Sequence, residues 1–104
     1  MIIIEITSKN NEIVSVEMNG HSGYAESGKD IVCAGVSSLV YAALNSFDSI
    51  EEDRIIVNDG MLKLNLRGKK VSDHDRIVLE VMLNGFSMIA VQYKKNVKII
   101  KKEN

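Results

Sequence analysis

Residues 31–47 read IVCAGVSSLVYAALNSF, a segment that is apolar on nearly all of its sides. A helix of this composition is stable only when it is buried, so the segment predicts a helix packed against a sheet. Asp30 directly precedes the segment and is well placed as the N-cap, because its carboxylate can accept hydrogen bonds from the first backbone N–H groups of a helix. The rest of the chain must supply the sheet that this helix covers.

Strand and turn patterns flank this helix on both sides. We predict strands at residues 2–7 (IIIEIT) and 12–18 (EIVSVEM), joined by a turn at residues 9–11. After an acidic connector at residues 48–53, we predict a second hairpin from residues 54–58 and 61–67 around Asp59-Gly60, because an Asp-Gly pair between alternating strands is a strong hairpin signal.

The last third of the chain predicts one more helix and one more strand. Ser72-Asp73-His74-Asp75 matches a capping box, so a helix is expected from there to about residue 92. Residues 94–101 are expected to form a short final strand with a basic tail. The order ββαββαβ predicts one α+β domain over residues 1–104. We expect a two-layer α/β sandwich whose mixed or mostly antiparallel sheet of about five strands packs against two helices.

Composition excludes several classes of protein. The chain has 104 residues, of which 45% are hydrophobic and 26% charged, which is ordinary globular usage. Its single cysteine excludes an intrachain disulfide framework and indicates a reducing compartment. Aromatic residues make up 5% and tryptophan is absent, which argues against a base-stacking surface for nucleic acid. Because we find no secretory signal and no long apolar run, we expect a cytoplasmic protein with no membrane partner.

Charge is distributed unevenly along the sequence. The first 60 residues carry ten acidic and three basic side chains, whereas the last 44 carry four acidic and ten basic ones. An acidic first half could attract a basic partner. Alternatively, strands from the two halves interleave and mix the charges on the surface. The basic tail could contact RNA, but a solvated strand face explains it as well, and we expect no direct nucleic-acid partner.

The segment from Gly20 to Cys33 contains the residues best suited to chemistry. Cys33 is the third residue of the predicted helix, where unpaired N–H groups and the helix dipole favour a thiolate. His21 could pair with that thiolate and later donate a proton to a leaving amine. The N–H groups of Cys33 and Ala34 could stabilise a developing oxyanion.

Each neighbouring residue admits a structural and a functional interpretation. Asp30 could orient His21, or could serve only as the helix cap. Ser37 lies one turn after Cys33 and could support the thiol or a substrate carbonyl, or could bond back to the helix. Gly23 and Gly28 could let the loop close over a substrate, or serve turn geometry alone. Cys33 itself could be a small core residue, as many free cysteines are.

Other candidate sites are weaker. Gly35 costs helix stability and predicts close approach of a neighbour or a ligand. His74 lies inside the capping segment and is expected to be exposed. A metal site built from His21, His74 and carboxylates has no supporting ligand spacing, so we predict no metal. The glycines match neither a P-loop nor a dinucleotide-binding fingerprint, and we expect no cofactor.

Residues 20–37, GHSGYAESGKDIVCAGVS, resemble the signature of the ribosomal-processing cysteine proteases, the Prp family. In length and element order the resemblance extends over essentially the whole chain. It implies that His21 is the catalytic histidine and Cys33 the nucleophile, and that Gly20, Asp30 and Ser37 occupy the other motif positions. Ser22 stands where the family often has alanine, and we expect its hydroxyl to have little effect.

The resemblance also implies a function and an assembly. Members of the family are small bacterial endopeptidases that remove a short N-terminal extension from the large-subunit ribosomal protein numbered twenty-seven. They have an α/β sandwich fold and form homodimers, and the loop between the histidine and the cysteine is mobile and orders over bound peptide. The resemblance therefore implies a cysteine endopeptidase whose partners are an extended ribosomal protein and a second copy of the chain.

Two other functions are consistent with the residues. The chain could be a non-catalytic module that binds a ribosomal protein or an assembly intermediate, which its charge asymmetry and small size would allow. It could also be a redox thiol sensor, but the sequence supplies no second cysteine to resolve an oxidised thiol.

Overall fold

One five-stranded sheet and two helices make up the computed structural model, which describes residues 1–104. The strands are β1 (Ile2–Lys9), β2 (Glu12–Asn19), β3 (Ile55–Asn58), β4 (Met61–Asn65) and β5 (Val97–Glu103). The helices are α1 (Ile31–Ser46) and α2 (Asp73–Gln92), and a short 3₁₀ turn at Glu52–Arg54 follows the acidic connector. The order ββαββαβ and the α+β class are confirmed.

The sheet is mixed, with the strand order β3-β4-β2-β1-β5. Three neighbouring pairs are antiparallel, and β5 pairs in parallel with β1. This order inserts β4 between β3 and β2 and places β5 beside β1, so strands from the acidic and basic halves interleave. The Lys102 ammonium, for example, lies 3.2 Å from the Glu5 carboxylate. The uneven charge along the sequence is therefore mixed across the sheet.

Both predicted hairpins are present. Lys9 pairs with Glu12, so the first turn consists of Asn10 and Asn11 alone. Both asparagines have positive φ, 52° and 64°, as a type I′ turn requires. The second hairpin closes at Asp59-Gly60, where Gly60 has a φ of +70°.

Side chains cap both helices as predicted. The Asp30 carboxylate accepts a hydrogen bond from the Cys33 N–H at 2.9 Å, and the Ser72 hydroxyl accepts one from the Asp75 N–H at 3.1 Å. Each cap satisfies a backbone donor that has no partner within its helix. Because Asp30 fixes the first turn of α1, it also fixes the position of Cys33.

The core lies between one face of the sheet and the two helices. Its sixteen buried apolar residues are Ile2, Ile4, Ile6, Val16, Met18, Val32, Val36, Val40, Ala43, Leu62, Leu64, Leu66, Leu79, Met82, Phe86 and Val97. Alternate residues of β1 contribute to it, as expected for a half-covered strand. Helix α1 is less enclosed than its composition predicts, because Ile31 and Tyr41 on its outer side remain 59% and 50% exposed.

Glycines allow the two helices to approach each other closely. A Cβ added at Gly85 of α2 would lie 2.6 Å from the Leu39 Cδ1 of α1. A Cβ added at Gly35 would lie 3.3 Å from the Ile89 Cδ1 of α2. The close approach predicted for Gly35 is therefore that of the neighbouring helix.

Strand ends differ by a few residues from the prediction. Strand β5 begins at Val97 rather than at residue 94, because the N–H groups of Asn96 and Val97 both donate to the Tyr93 carbonyl and form a turn after α2. Strand β4 ends at Asn65, although Leu66 is still buried and donates its N–H to the Val14 carbonyl. Neither helix has the length and apolar character needed to cross a membrane.

Candidate active site

A cavity of about 260 Å³ lies where the N-terminal half of α1 faces the turn between β3 and β4. It is lined by Ile2, Met18, Gly20, His21, Cys33, Val36, Ser37, Val40, Tyr41, Val57, Asn58, Asp59 and Gly60. Its walls thus include apolar core residues as well as the histidine and the cysteine singled out by the sequence. The fold therefore brings the two predicted reactive side chains to one concave surface.

Cys33 is partly exposed to this cavity rather than buried in the core. It lies in the first turn of α1, and its Sγ accepts a hydrogen bond from the backbone N–H of Ser22 at 3.2 Å. A backbone N–H that points at sulfur stabilises negative charge on it. Cys33 thus combines a position at a helix start with a backbone donor directed at its sulfur.

His21 is held at the cavity edge by backbone geometry. Its neighbour Gly20 has a φ of +104° and donates its N–H to the Gly60 carbonyl at 2.9 Å. The His21 imidazole lies against Gly60, since a Cβ added at Gly60 would be 2.8 Å from Nε2. No hydrogen bond joins the His21 ring to the Cys33 thiol, so the two side chains share the cavity without forming a pair.

Asp30 ties the loop between the histidine and the cysteine to the helix. Its Oδ1 accepts from the Cys33 N–H, and its Oδ2 accepts from the Ser22 hydroxyl and from the N–H groups of Tyr24 and Ala25 at 3.1 and 3.3 Å. Desolvation opposes ionisation of this carboxyl, but these hydrogen bonds outweigh it and lower the pKa of Asp30 to about 2. Asp30 makes no hydrogen bond to His21, so of its two predicted roles the structure supports the cap and not the orienter.

The predicted oxyanion donors are already engaged. The Cys33 N–H donates to the Asp30 carboxylate, and the Ala34 N–H donates to the Asp30 backbone carbonyl at 3.0 Å. The prediction that these two N–H groups are free to stabilise an oxyanion is therefore wrong for this state. The helix cap and the first helical hydrogen bond occupy them.

The other predicted site residues are Ser37, which lies in the cavity wall, and Gly23 and Gly28, which lie on the exposed loop. Ser37 lines the cavity one turn after Cys33 and makes no hydrogen bond back to the helix. Gly23 and Gly28 lie on the exposed loop with φ values of +70° and +87° and open space around them. Their positive φ values show that turn geometry is one reason for both glycines.

Ser22 matters more than the sequence predicts. It is only 2% exposed, and its hydroxyl donates to Asp30 and accepts from the Tyr24 N–H at 3.2 Å. The expectation that this hydroxyl has little effect is therefore wrong. The Ser22 carbonyl accepts a hydrogen bond from the Asn96 side chain at 2.9 Å, and the Tyr24 ring packs edge-on against that of Tyr93 with centroids 5.4 Å apart.

Sequence reasoning missed the β3–β4 turn and Asn96. Residues 58–60 were interpreted only as a hairpin, although Asn58, Asp59 and Gly60 line the cavity. The Asp-Gly pair gave a signal for the turn but none for its contact with His21. Asn96 lies 74 residues from Ser22, so no local pattern could connect them.

The second histidine lies elsewhere, at the start of α2. Its Nε2 is 2.8 Å from the Ser46 carbonyl, which accepts hydrogen bonds only, so this nitrogen is the donor. Atoms of Asp48, His74 and Asp75 lie within 4.8 Å of one another, but the buried Asp75 carboxylate accepts hydrogen bonds from the N–H groups of Asp48 and Ser49 and from the Ser49 hydroxyl. Protein donors thus occupy this cluster, and His21 is not part of it.

A larger groove of about 880 Å³ lies at the other end of the sheet, beside the β1–β2 turn. Lysines and an arginine surround it, but it contains no cysteine and no histidine. Size alone therefore does not identify the reactive site. The smaller cavity has both the cysteine and the histidine, the residue types that nucleophilic catalysis needs.

Comparisons with known proteins identify the family of the chain. The family described as Cysteine protease Prp matches residues 1–98. The Ribosomal processing cysteine protease Prp of Staphylococcus aureus (strain NCTC 8325 / PS 47) is 28% identical over 103 residues, which cover 95% of this chain and 97% of that protein.

Two solved structures of the S. aureus protein superpose over 98% of this chain and 100% of theirs. One, with a covalently linked product peptide, has a TM-score of 0.88 at 29% identity. The other, with a substrate peptide, has a TM-score of 0.76 at 27% identity.

Proposed function

The chain belongs to the Prp family of cysteine proteases, and on that premise we propose that Cys33 is the nucleophile and His21 the general acid and base of its peptide cleavage. The observation that carries this proposal is the thiol of Cys33, which lies at a helix start, accepts the Ser22 N–H and faces the same cavity as His21. A cysteine that served only as a core residue would need neither a backbone N–H directed at its sulfur nor exposure to a cavity.

The reaction follows from these positions. The proton of the Cys33 thiol passes to His21, and the thiolate attacks the scissile carbonyl carbon to form a C–S bond. As the tetrahedral intermediate collapses, the C–N bond breaks and His21 gives its proton to the leaving amine. His21 then takes a proton from water as the water attacks the thioester carbon. The C–S bond breaks, the acid product leaves, and the proton returns from His21 to the Cys33 sulfur. Because no hydrogen bond joins the two side chains in the free protein, substrate binding has to bring the imidazole to the sulfur.

The oxyanion requires a donor other than Cys33 and Ala34. The Ser22 N–H lies 3.2 Å from Sγ and is therefore adjacent to the carbon that sulfur attacks. When the thiolate becomes a thioether it loses its negative charge and its strength as an acceptor, and the same N–H is then available to the oxyanion. The Ser22 N–H thus serves the thiolate first and the oxyanion second.

The proposed substrate is the large-subunit ribosomal protein twenty-seven with its N-terminal extension. The S. aureus relative is named for ribosomal processing, and one of its structures contains a substrate peptide. The cavity has apolar walls from residues such as Met18 and Val57, which suit an apolar side chain of an extended peptide, and Asp59 adds a negative charge at its edge. The free thiol of Cys33 is consistent with a cytoplasmic enzyme.

The test is cleavage of that protein followed by intact mass. We expect one cut near the N-terminus with the wild-type chain, none with Cys33→Ala, and a reduced rate with His21→Ala. Ser38→Ala is the matched control, because Ser38 lies on the exposed side of α1 and its hydroxyl only bonds back to the Ala34 carbonyl. Cleavage by Cys33→Ala at the wild-type rate would refute the mechanism. Binding without a cut by the wild type would favour the non-catalytic module.

We further propose that the chain forms a homodimer through the outer face of α2. Apolar side chains there are 61–74% exposed and, with Asn84, form a stripe at alternating spacings of four and three residues: Ile77, Val81, Asn84, Met88 and Val91. This spacing is that of a coiled-coil seam, and a central polar residue sets the register of such a seam. The buried residues of α2, such as Leu79 and Phe86, lie on the opposite side of the helix.

The helix dipoles favour an antiparallel pair of α2 helices. Centring the pair on Asn84 places Ile77 opposite Val91 of the second copy. A parallel pair would instead bring like helix ends together. The antiparallel arrangement has the two-fold symmetry of a closed dimer.

Sedimentation velocity tests this interface. We expect Met88→Glu to convert the dimer to a monomer, while Ile56→Glu, at an exposed apolar position on β3, leaves it unchanged. A Met88→Glu protein that sediments like the wild-type dimer would place the interface elsewhere.

A further inference from the structure

Asn96 makes a long-range contact with the segment that holds the nucleophile. Its side-chain Nδ2 donates to the Ser22 carbonyl at 2.9 Å, across 74 residues of sequence. Every polar group of Ser22 is engaged: the N–H donates to Cys33 Sγ, the hydroxyl donates to Asp30, and the carbonyl accepts from Asn96. Nothing on the chain other than Asn96 holds that carbonyl.

We propose that Asn96 is a positioning residue, which keeps the Ser22 N–H directed at the thiol of Cys33. The proposal rests on the role of Cys33 as the nucleophile. The carbonyl that Asn96 holds belongs to the peptide joining Ser22 to Gly23. Gly23 has a positive φ and open space around it, so rotation about this residue meets little steric resistance. The Ser22 Cα joins that carbonyl to the N–H that reaches sulfur, which belongs to the preceding peptide. Without Asn96, the Ser22 backbone loses the anchor at its carbonyl and can shift its N–H away from sulfur.

Asn96 is itself rigidly placed, as a positioning residue has to be. Its backbone N–H donates to the Tyr93 carbonyl at 2.9 Å, and its carbonyl accepts the Ile2 N–H at 2.8 Å. It directly precedes Val97, which is 2% exposed and pairs with Ile2 in the sheet. The amide of Asn96 therefore extends from the edge of the core to the loop beside the active site.

The same turn holds the loop at a second point. The ring of Tyr93, the C-cap of α2, packs edge-on against Tyr24, two residues after Ser22. The tyrosine contact fixes the loop body, whereas the Asn96 contact fixes the peptide next to the nucleophile. Only the second contact acts on the N–H that reaches sulfur, so the two are separable by mutation.

Asn96→Asp is the sharpest variant, because it replaces the NH₂ donor by an oxygen of the same size. An oxygen facing the Ser22 carbonyl repels it instead of binding it. Asn65→Asp is the matched control: Asn65 uses its Oδ1 to accept the Arg67 N–H, and an aspartate keeps that acceptor. Asn96→Ala removes the donor without adding charge and serves if the aspartate variant does not fold.

The experiment measures alkylation of Cys33 by iodoacetamide across pH, read by intact mass, beside kcat and KM for the extended ribosomal protein. We expect Cys33 to be alkylated about tenfold more slowly at neutral pH in Asn96→Asp and Asn96→Ala, with the pH profile moved to higher pH. The reason is that the Cys33 thiolate, a charged acceptor, loses the Ser22 N–H donor. We expect kcat to fall by about tenfold or more with KM little changed. Asn65→Asp should match the wild type in all three.

Two results would overturn the proposal. One is an Asn96 variant with a lower melting temperature but a wild-type alkylation profile and kcat, which would make Asn96 merely structural. The other is an equal loss in Asn65→Asp. The alkylation profile follows the thiol whether or not Cys33 is the nucleophile. Failure of the proposed mechanism, seen as cleavage by Cys33→Ala, is therefore distinguishable from failure of the Asn96 assignment.

Discussion

Gly60→Ala tests whether the β3–β4 turn positions His21, the proposed general acid and base. Gly60 has a φ of +70°, and a Cβ there would lie 2.8 Å from Nε2 of His21 and 3.0 Å from Cε1. Both distances are too short for a carbon contact, so the imidazole has to move. The added methyl group therefore does two separate things: it strains the backbone and it displaces His21.

The two effects differ in size and in readout. A left-handed conformation costs a residue with a Cβ about 1–2 kcal/mol relative to glycine. For a chain of this size each kcal/mol lowers the melting temperature by roughly 4–8 °C. Displacement of a reacting group by about 1 Å can cost about 100-fold in rate. We therefore expect a modest loss of stability and a loss of kcat/KM of about two orders of magnitude.

Gly68→Ala separates the two effects. Gly68 has a φ of +73° and open space where a Cβ would stand, so it suffers the strain without touching His21. Melting curves of both variants should shift by similar amounts, while cleavage of the extended ribosomal protein should fall only in Gly60→Ala. Equal activities in the two variants would refute the conclusion that Gly60 positions His21.

Three further substitutions test the packing and the charges. Asp75→Ala should lower the free energy of unfolding by about 3 kcal/mol in urea titrations, because it removes the buried acceptor of three hydrogen bonds from residues 48–49; a loss below about 1 kcal/mol would contradict this. The pKa of His74 is raised by its hydrogen bond to the carbonyl at the end of α1 and by Asp48 and Asp75. The charged His74 therefore stabilises the fold fully below pH 6.5, its ordinary pKa. This stabilisation is lost as the pH rises from there through the raised pKa of the folded state. The melting temperature of the wild type should fall more between pH 6 and 9 than that of His74→Asn, and parallel curves would exclude the effect. Gly85→Ala should destabilise the protein by about 1–2 kcal/mol in urea, because both methyl carbons and the Cγ of Leu39 have to move, and an unchanged midpoint would show that the helices relax freely.

Local patterns predicted the elements of the fold well, and they did so for identifiable reasons. Asp30 and Ser72 mark helix starts because a helix leaves its first N–H groups unpaired, which is a property of the local sequence. The Asp59-Gly60 pair likewise marks a hairpin. The parallel pairing of β5 with β1 could not be found this way, because it depends on how α2 crosses the sheet. The start of β5 was misplaced because the 94–96 segment is polar and lysine-rich, like the strand that follows it.

The residues of the candidate active site also fall into two groups, those that a local sequence pattern reveals and those that only the fold brings together. His21, Cys33 and Asp30 lie within one segment of 13 residues, so their types and spacing were visible in the sequence. Gly60 and Asn96 reach the site from turns that the fold alone brings there. Ser22 was visible but misjudged, because its burial and its contact with Asp30 depend on the loop conformation.

Activation of the free protein should move His21 rather than Cys33. The thiol is fixed by the first turn of α1 and by Ser22, which Asp30 and Asn96 hold in place. The loop from Ser22 to Ala25 converges on one carboxylate oxygen of Asp30, so shifting it would break several hydrogen bonds together. The His21 ring makes no hydrogen bond and only lies against Gly60. The smallest change that completes the proposed pair is therefore rotation of the imidazole toward sulfur, with Cys33 and the Ser22 N–H already in place.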